Sequence, residues 1–146
     1  MQLYTIGFTQ RRAESFFTQL RANGVKRLVD IRLNPGGQLS GFAKQDDLPY
    51  LLRELAGGCE YVHLPELAPT KKILSEYRAD KNWARYAERF DALMDERNIP
   101  ATLDATMFLL TRCCLLCSEA TPAHCHRRLA AERLAAHWPD LTIVHL

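Results

Sequence analysis

The N-terminal part of the chain places a helical pattern between two short segments that favour β structure. Gln2 to Ile6 is apolar and is followed by Gly7, and Val25 to Ile31 is rich in apolar and β-branched residues. Between these segments, apolar residues recur at the spacing of one face of an α-helix: Ala13, Phe16, Phe17 and Leu20. A strand, a helix and a second strand in so short a segment predict a βαβ unit, in which the two strands run parallel. This pattern restricts the chain to folds with a parallel sheet.

The rest of the chain continues the alternation of strands and helices. Further strands are predicted at Glu60 to Leu64, Arg112 to Cys117 and Leu141 to Leu146. Further helices are predicted at Leu48 to Leu55, Asn82 to Glu96, Leu103 to Leu110, and from Thr121-Pro122 to about His137. The polar stretch Pro65 to Lys81 is expected to be irregular, with Lys71-Lys72 in a mobile basic loop.

These elements predict a single α/β, Rossmann-like domain over residues 1–146, with a mostly parallel sheet of about five strands and helices on both faces. The near-continuous apolar character of Arg112 to Cys117 favours a central position in that sheet. In open parallel sheets, ligands bind beyond the carboxyl ends of the strands. Gly7-Phe8, Asp30 to Arg32 and Cys117 to Glu119 are all expected at those ends, which predicts a pocket there.

Composition narrows the possible classes of function. The chain has 146 residues and a net charge of +2, which does not indicate a nucleic-acid-binding surface. No apolar stretch reaches the roughly 18 residues of a membrane span, and the N-terminus lacks the regions of a signal peptide, so we expect the cytoplasm. The five cysteines are an odd number and three crowd one predicted strand, which is not the pattern of a secreted disulfide framework.

The run from Leu115 to Arg128, LLCSEATPAHCHRR, contains the densest group of chemically active side chains. A strand end followed by a helix that begins at Thr121-Pro122 would present free backbone N–H groups and the positive end of a helix dipole to an anion. Arg127 or Arg128 could add a bidentate contact to phosphate or carboxylate. The alternative is a structural pair between Glu119 and an arginine, which would lock the helix to the strand.

The cysteines of this run suggest a second kind of chemistry. Cys117 near a helix N-terminus would form a thiolate readily, with Cys125 as a resolving thiol and His124 and His126 as proton carriers. The alternative is that both cysteines are small apolar core residues. Cys114 and Cys117 also have the C-x-x-C spacing of zinc sites, with Cys125 and His126 eight and nine residues further on as possible ligands. However, residues three apart on a strand point to opposite faces. We therefore assign neither a metal nor a cofactor.

Asp30 and Arg32 are expected at the carboxyl end of the second strand, where a spacing of two residues puts them on one face. In that position the carboxylate could orient the guanidinium toward a ligand. The alternative is an ion pair with a purely structural role at the rim of the sheet.

The same segments resemble the DUF488 family, a group of small bacterial and archaeal proteins of unknown function. Near the start of the chain, the segment TIGF-T resembles the family's T-I-G-H-S opening, and the segment VDIRLNP resembles its D-x-R-x-x-P segment. The run LLCSEATPAHCHR resembles the family's C-x-E…C-H-R motif. The segments EYVHLPEL and NWARYAERF resemble the family's third strand and its aromatic helix, respectively. The resemblance implies functional roles for Asp30, Arg32, Pro35, Cys117, Glu119, Cys125, His126 and Arg127. The chain departs from the pattern at Phe8, where the family usually has histidine, and at Leu67 to Pro69, where Leu-Gly-Gly is expected.

Three functional hypotheses follow. The leading one is a pocket for a small phosphate-bearing anion, such as a nucleotide or a nucleic-acid end, held by Arg32 and Arg127. In an enzyme of this kind the catalytic candidates are Cys117, Glu119, Cys125 and His126. The second hypothesis is a thiol-based redox or sulfur-transfer protein that uses Cys117 and Cys125. The third is a non-catalytic module that senses a nucleotide or binds a partner, so the sequence leaves open whether the protein is an enzyme.

Overall fold

The computed structural model describes all 146 residues and is built on one sheet of five strands. The strands are β1 (Gln2–Gly7), β2 (Arg27–Asp30), β3 (Glu60–His63), β4 (Cys113–Cys117) and β5 (Thr142–His145). All neighbouring strands run parallel, in the order β3-β2-β4-β1-β5. The apolar strand β4 lies at the centre, between the two strands of the N-terminal βαβ unit. The predicted α/β class is confirmed, and the sheet is parallel throughout.

Six α-helices connect and cover the strands. They are α1 (Ala13–Ala22), α2 (Leu48–Leu55), α3 (Lys71–Asp80), α4 (Trp83–Glu96), α5 (Ala105–Leu109) and α6 (His126–His137). Two short 3₁₀ segments, Gln38–Ala43 and Pro65–Leu67, lie in the connections that follow β2 and β3. None of these helices has the combined length and apolar character that crossing a bilayer requires.

Helices cover both faces of the sheet because successive side chains of a strand point to opposite sides. Leu28 and Leu116 pack with α1 and α2 into one apolar core. Val29 and Leu115, their neighbours in the chain, pack with α4, α5 and α6 into the other. Cys117 follows Leu115 by two positions and therefore faces the side of α4 and α6.

The stretch 65–81 differs from the sequence-based expectation. It is not an irregular loop: Lys71-Lys72 form the first turn of α3, and the prediction of a mobile basic loop is wrong. The hydroxyl of Thr70 caps this helix by accepting a hydrogen bond from the Ile73 N–H group at 3.2 Å. No residue of α3 is buried, and the ring of Tyr77 packs on that of Tyr86 in α4 with centroids 4.9 Å apart. The helix thus gains support from a tertiary contact that its polar sequence does not reveal.

The start of the last helix also differs from the prediction. The helix begins at His126 rather than at Thr121-Pro122, and Cys125 precedes it in an extended conformation. Pro122 lies in a turn whose carbonyl group accepts a hydrogen bond from the Cys125 N–H group at 3.3 Å. Cys125, His126 and Arg127 are all buried. If α6 also included Cys125, the three side chains would spread over about 200° of the helix surface, because successive helical residues are rotated by about 100°. Part of this buried group would then point toward solvent.

Candidate functional site

A cavity of about 270 Å³ opens at the carboxyl ends of the strands, between the segments that follow β2 and β4 and the helix pair α3 and α4. Cys117, Cys125 and His126 line its buried inner end. Arg78, Lys81 and Glu119 line its exposed rim. The pocket thus lies where the topology of a parallel sheet predicts a ligand site.

The ligand-type atoms of Cys117, Cys125 and His126 all lie within 4.8 Å of one another. The Nδ1 atom of His126 is 3.4 Å from the sulfur of Cys117, and its Nε2 atom is 2.8 Å from the carbonyl oxygen of Ile31. Because a carbonyl oxygen only accepts hydrogen bonds, Nε2 is assigned the hydrogen and Nδ1 presents its lone pair to the sulfur. Burial lowers the pKa of His126, which favours this neutral imidazole.

The two cysteines of the pocket differ in their electrostatic surroundings. A hydrogen bond from the Cys125 thiol lowers the pKa of Cys117 despite burial, and the backbone N–H groups of Ser118 and Glu119 and the charge of Arg127 act in the same direction. The same hydrogen bond, with burial, raises the pKa of Cys125. Of the two thiols, Cys117 is therefore the one that ionises more readily.

Arg127 does not line the pocket. It is fully buried behind the β4–α6 connection, where its Nη1 donates to the backbone carbonyl of Glu119 at 2.6 Å and its Nε to the hydroxyl of Thr5 at 3.4 Å. Its Nη2 has no hydrogen-bond partner within the protein. The structure therefore does not bring Arg127 to the wall of this pocket, where the expected bidentate contact with a ligand would form. The proposed Glu119–Arg127 pair is a main-chain contact and not an ion pair, because the arginine side chain reaches the Glu119 carbonyl.

The absence of a side chain at Gly7 makes room for this arrangement. A Cβ atom at this position would collide with the carbonyl group of Glu119 and lie 2.9 Å from Nη1 of Arg127. The end of β1 therefore packs directly against the connection that carries Glu119 into the pocket rim. The side chain of Glu119 itself is exposed.

Asp30 and Arg32 form a buried ion pair beside the pocket. The carboxylate of Asp30 accepts hydrogen bonds from Nε and Nη2 of Arg32 at 2.8 and 2.6 Å, and another from the Tyr61 hydroxyl at 2.7 Å. Nη1 and Nη2 of Arg32 also donate to the Ser40 hydroxyl and the Ala43 carbonyl. Arg32 lines the pocket whereas Asp30 lies behind it. This leaves one Nη1 hydrogen of Arg32 without a protein partner, because a guanidinium has five N–H donors.

Phe8 stands at the position where the resembled family usually has histidine. Its ring lies 5.2 Å from the guanidinium carbon of Arg32 and makes an edge contact with the ring of Phe42. An aromatic side chain therefore covers the guanidinium here, and no titratable group stands in its place.

Residues of α3 and α4 that the sequence analysis did not select complete the pocket. Arg78 and Lys81 line it, and neither forms an ion pair with a carboxylate. Tyr77, Tyr86 and His124 also line the pocket. The sequence does contain a signal for α3: a capping residue, Thr70, is followed by apolar residues at helical spacing, namely Ile73, Leu74 and Tyr77. This signal could have predicted the helix and the position of Arg78 and Lys81 at its end.

Cys114 is separated from the pocket cysteines. It packs in the α1–α2 core on the other face of the sheet, as strand alternation requires, so the C-x-x-C pair cannot bind one metal ion. The sequence pattern offers Cys125 and His126 only as further ligands of that C-x-x-C pair. The structure instead brings Cys117, without Cys114, together with Cys125 and His126 as a group of three metal-type ligands.

Comparison with known proteins found one family. The family model described as Domain of unknown function DUF488 matches residues 12–134. Neither the curated proteins nor the solved structures contain a match. The matched residues include every residue that lines the pocket.

Proposed function

This chain belongs to the DUF488 family, and we propose that the pocket within its family region binds a small phosphate-bearing ligand such as a nucleotide. The family description names no activity, so the ligand class is inferred from the pocket residues. Their charge, their aromatic character and the size of the cavity each support it.

The observation that carries the proposal is the pair of cations on the pocket rim. Arg78 lies in the last turn of α3, Lys81 directly follows that helix, and neither has a carboxylate partner. Glu119 is the only carboxylate lining the cavity. The positive charge of Arg32 is offset by Asp30. Two unpaired cations against one carboxylate favour an anion, and arginine is suited to bidentate contact with phosphate.

The aromatic wall favours an anion that also has a flat ring. Tyr77 and Tyr86 line the pocket, and the ring of Trp83 stacks on those of Tyr86 and His124 at 5.2 and 5.0 Å. Ligand pockets typically combine such apolar surface with a few polar groups that fix orientation. The volume of about 270 Å³ is near the small end of the roughly 300–1,000 Å³ typical of ligand sites. A mononucleotide or another aromatic phosphate ester fits this description better than a polymer.

The test is calorimetric titration of the protein with nucleoside monophosphates and with simple phosphate esters. Arg78→Ala is expected to weaken binding about tenfold or more, since a hydrogen bond to a charged group contributes about 1.5–3 kcal/mol. Lys72→Ala is the matched control because Lys72 is an exposed cation of the same helix that does not line this pocket. Equal affinity in the two variants, or no binding of any phosphate ester to the wild type, would refute the proposal.

A thiol-based function is the second candidate, and the proximity of Cys117 and Cys125 favours it. Their sulfur atoms lie within 4.8 Å, so a modest movement would allow a disulfide. In that reaction the two thiols lose two protons and two electrons to an added oxidant such as hydrogen peroxide, and an S–S bond forms. Mass spectrometry after mild oxidation and reduction tests this candidate. An oxidised Cys117–Cys125 peptide that dithiothreitol reverses supports it, and separate over-oxidation of the two thiols argues against it.

A further inference from the structure

We propose that Cys117, Cys125 and His126 bind a zinc-type divalent metal ion whose fourth coordination position faces the pocket. The inference goes beyond the proposed ligand, because it rests on the buried end of the cavity and not on the cationic rim. Two cysteine sulfurs and one imidazole nitrogen form the donor set that zinc takes in catalytic sites with one open position.

The spacing of the donor atoms is close to that of such a site. Zinc binds sulfur at about 2.3 Å and imidazole nitrogen at about 2.0–2.1 Å, so tetrahedral ligands lie roughly 3.5–3.8 Å from one another. The Cys117 sulfur and the His126 Nδ1 atom are already 3.4 Å apart. No pair among the three donor atoms exceeds 4.8 Å, a separation that side-chain rotation can close.

The imidazole of His126 is oriented as a metal ligand. Its Nε2–H group donates to the carbonyl of Ile31 at 2.8 Å, which directs the unprotonated Nδ1 toward the two sulfurs. Metal-binding histidines nearly always have such a partner on the second ring nitrogen, since it fixes the tautomer and the ring plane. Phe90 packs against the same ring at 5.6 Å and further restricts its rotation.

The charges around the cluster also suit two thiolates. Arg127 is a fully buried cation without a carboxylate partner, and its charge acts on both Cys117 and Cys125. A buried charge without compensation is costly. Metal binding displaces one proton from each thiol, and the resulting group of one divalent ion, two thiolates and a neutral imidazole has no net charge. A neutral centre is less costly to bury than a charged one, and its negative sulfurs interact favourably with the charge of Arg127.

The fourth coordination position of the metal ion is open because the three protein ligands are enclosed on one side only. The strand end and α6 enclose the cluster from behind, while all three residues line the cavity in front. A water molecule or an anionic oxygen arriving through the pocket is therefore the fourth ligand. If the proposed phosphate-bearing ligand binds, its oxygen is placed to meet the metal from the side of Arg78 and Lys81.

The test is titration of the reduced, metal-free full-length protein with Co²⁺ and Zn²⁺ without oxygen. Co²⁺ is expected to give intense thiolate-to-metal charge-transfer absorption and the visible bands of tetrahedral coordination, and Zn²⁺ is expected to abolish both by displacement. Cys117→Ala, Cys125→Ala and His126→Ala should each lose tight metal binding. Cys113→Ser is the matched control, because Cys113 is a buried cysteine of the same strand outside the cluster.

The wild-type spectrum keeps the inference falsifiable even if a variant does not fold. Absence of thiolate-to-metal absorption in the folded, reduced wild type would overturn it, as would equal metal binding by Cys113→Ser and Cys117→Ala. Phosphate-ester titrations of the same samples separate the two proposals. Metal binding without phosphate-ester binding would refute only the proposed function, and the reverse result would refute only the metal site.

Discussion

The Arg32 guanidinium and the Asp30 carboxylate form a bidentate pair, with hydrogen bonds of 2.8 and 2.6 Å, and both side chains are buried at the carboxyl end of β2. The carboxylate also accepts a hydrogen bond from the Tyr61 hydroxyl, and burial, together with this hydrogen bond, raises the pKa of that phenol. The pair fixes the first residues of the segment that forms one side of the pocket. The pair therefore fixes the position of the Arg32 side chain at the pocket wall.

Asp30→Asn is expected to destabilise the protein by about 3–5 kcal/mol, because it leaves a buried guanidinium without its counter-charge. Urea denaturation followed by circular dichroism measures the change. Glu60→Gln is the control, since it breaks the more exposed Arg27–Glu60 pair of the neighbouring strands and should cost no more than about 1 kcal/mol. Similar losses in the two variants would show that burial does not distinguish these pairs.

Gly7→Ala is expected to destabilise the protein by at least about 1–3 kcal/mol, the usual cost of forcing extra atoms into a packed core. The added Cβ would meet the Glu119 carbonyl and Nη1 of Arg127, both of which are held in place. Gly36→Ala should be nearly neutral, because no atom lies within 4 Å of a Cβ there. Thermal unfolding of both variants provides the comparison, and a stable Gly7→Ala variant would contradict the observed packing.

Cys59 and Cys113 are expected to resist alkylation in the folded protein. Burial raises the pKa of Cys59 to about 12 and that of Cys113 to about 11, so little reactive thiolate is present near pH 8. Iodoacetamide labelling with peptide mapping should show both thiols reacting far more slowly in buffer than in urea. Equal rates in the two conditions would mean that this burial is not maintained in solution.

His145 is expected to make stability depend on pH in the mildly acidic range. Burial lowers the pKa of His145 in the folded protein below 6.5, and the charges of Arg127 and Arg128 act in the same direction, whereas that of Glu132 opposes them. The Nδ1 atom of His145 contacts the Thr5 hydroxyl at 2.6 Å. The unfolded chain therefore takes up the proton first, so stability is full above pH 6.5 and falls as the pH drops through the two pKa values. His145→Gln should lose less stability than wild type between pH 7.5 and 5.5 in urea denaturation. An identical loss in both proteins would assign the effect to other groups.

Much of the architecture could be predicted from local patterns. Hydrophobic periodicity located the strands β1 to β5 and five of the six helices, because an element that buries one face must repeat apolar residues at its own period. The apolar character of Cys113–Cys117 predicted the centre of the sheet, where a strand is covered on both faces. The exception was α3, which buries no residue and so leaves a weak periodic signal.

The carboxyl-edge location of the pocket was also predictable, since parallel strands bring their ends to one rim. The partners of individual side chains at that rim were not. Arg127 was selected as a ligand-binding residue, yet the start of α6 turns it into the core, while Arg78 and Lys81 reach the pocket from a segment predicted to be a loop. Each of these outcomes depends on contacts between segments distant in sequence.

The amino-acid sequence by itself therefore determined the α/β class, the family and the edge of the sheet where polar side chains collect. Tertiary structure alone decided that Cys117, Cys125 and His126 converge while Cys114 faces the opposite core. The physical reason is that periodicity reports which face of an element is buried, whereas convergence depends on the exact point at which α6 begins. That point is set by the simultaneous burial of three consecutive side chains against the rest of the fold.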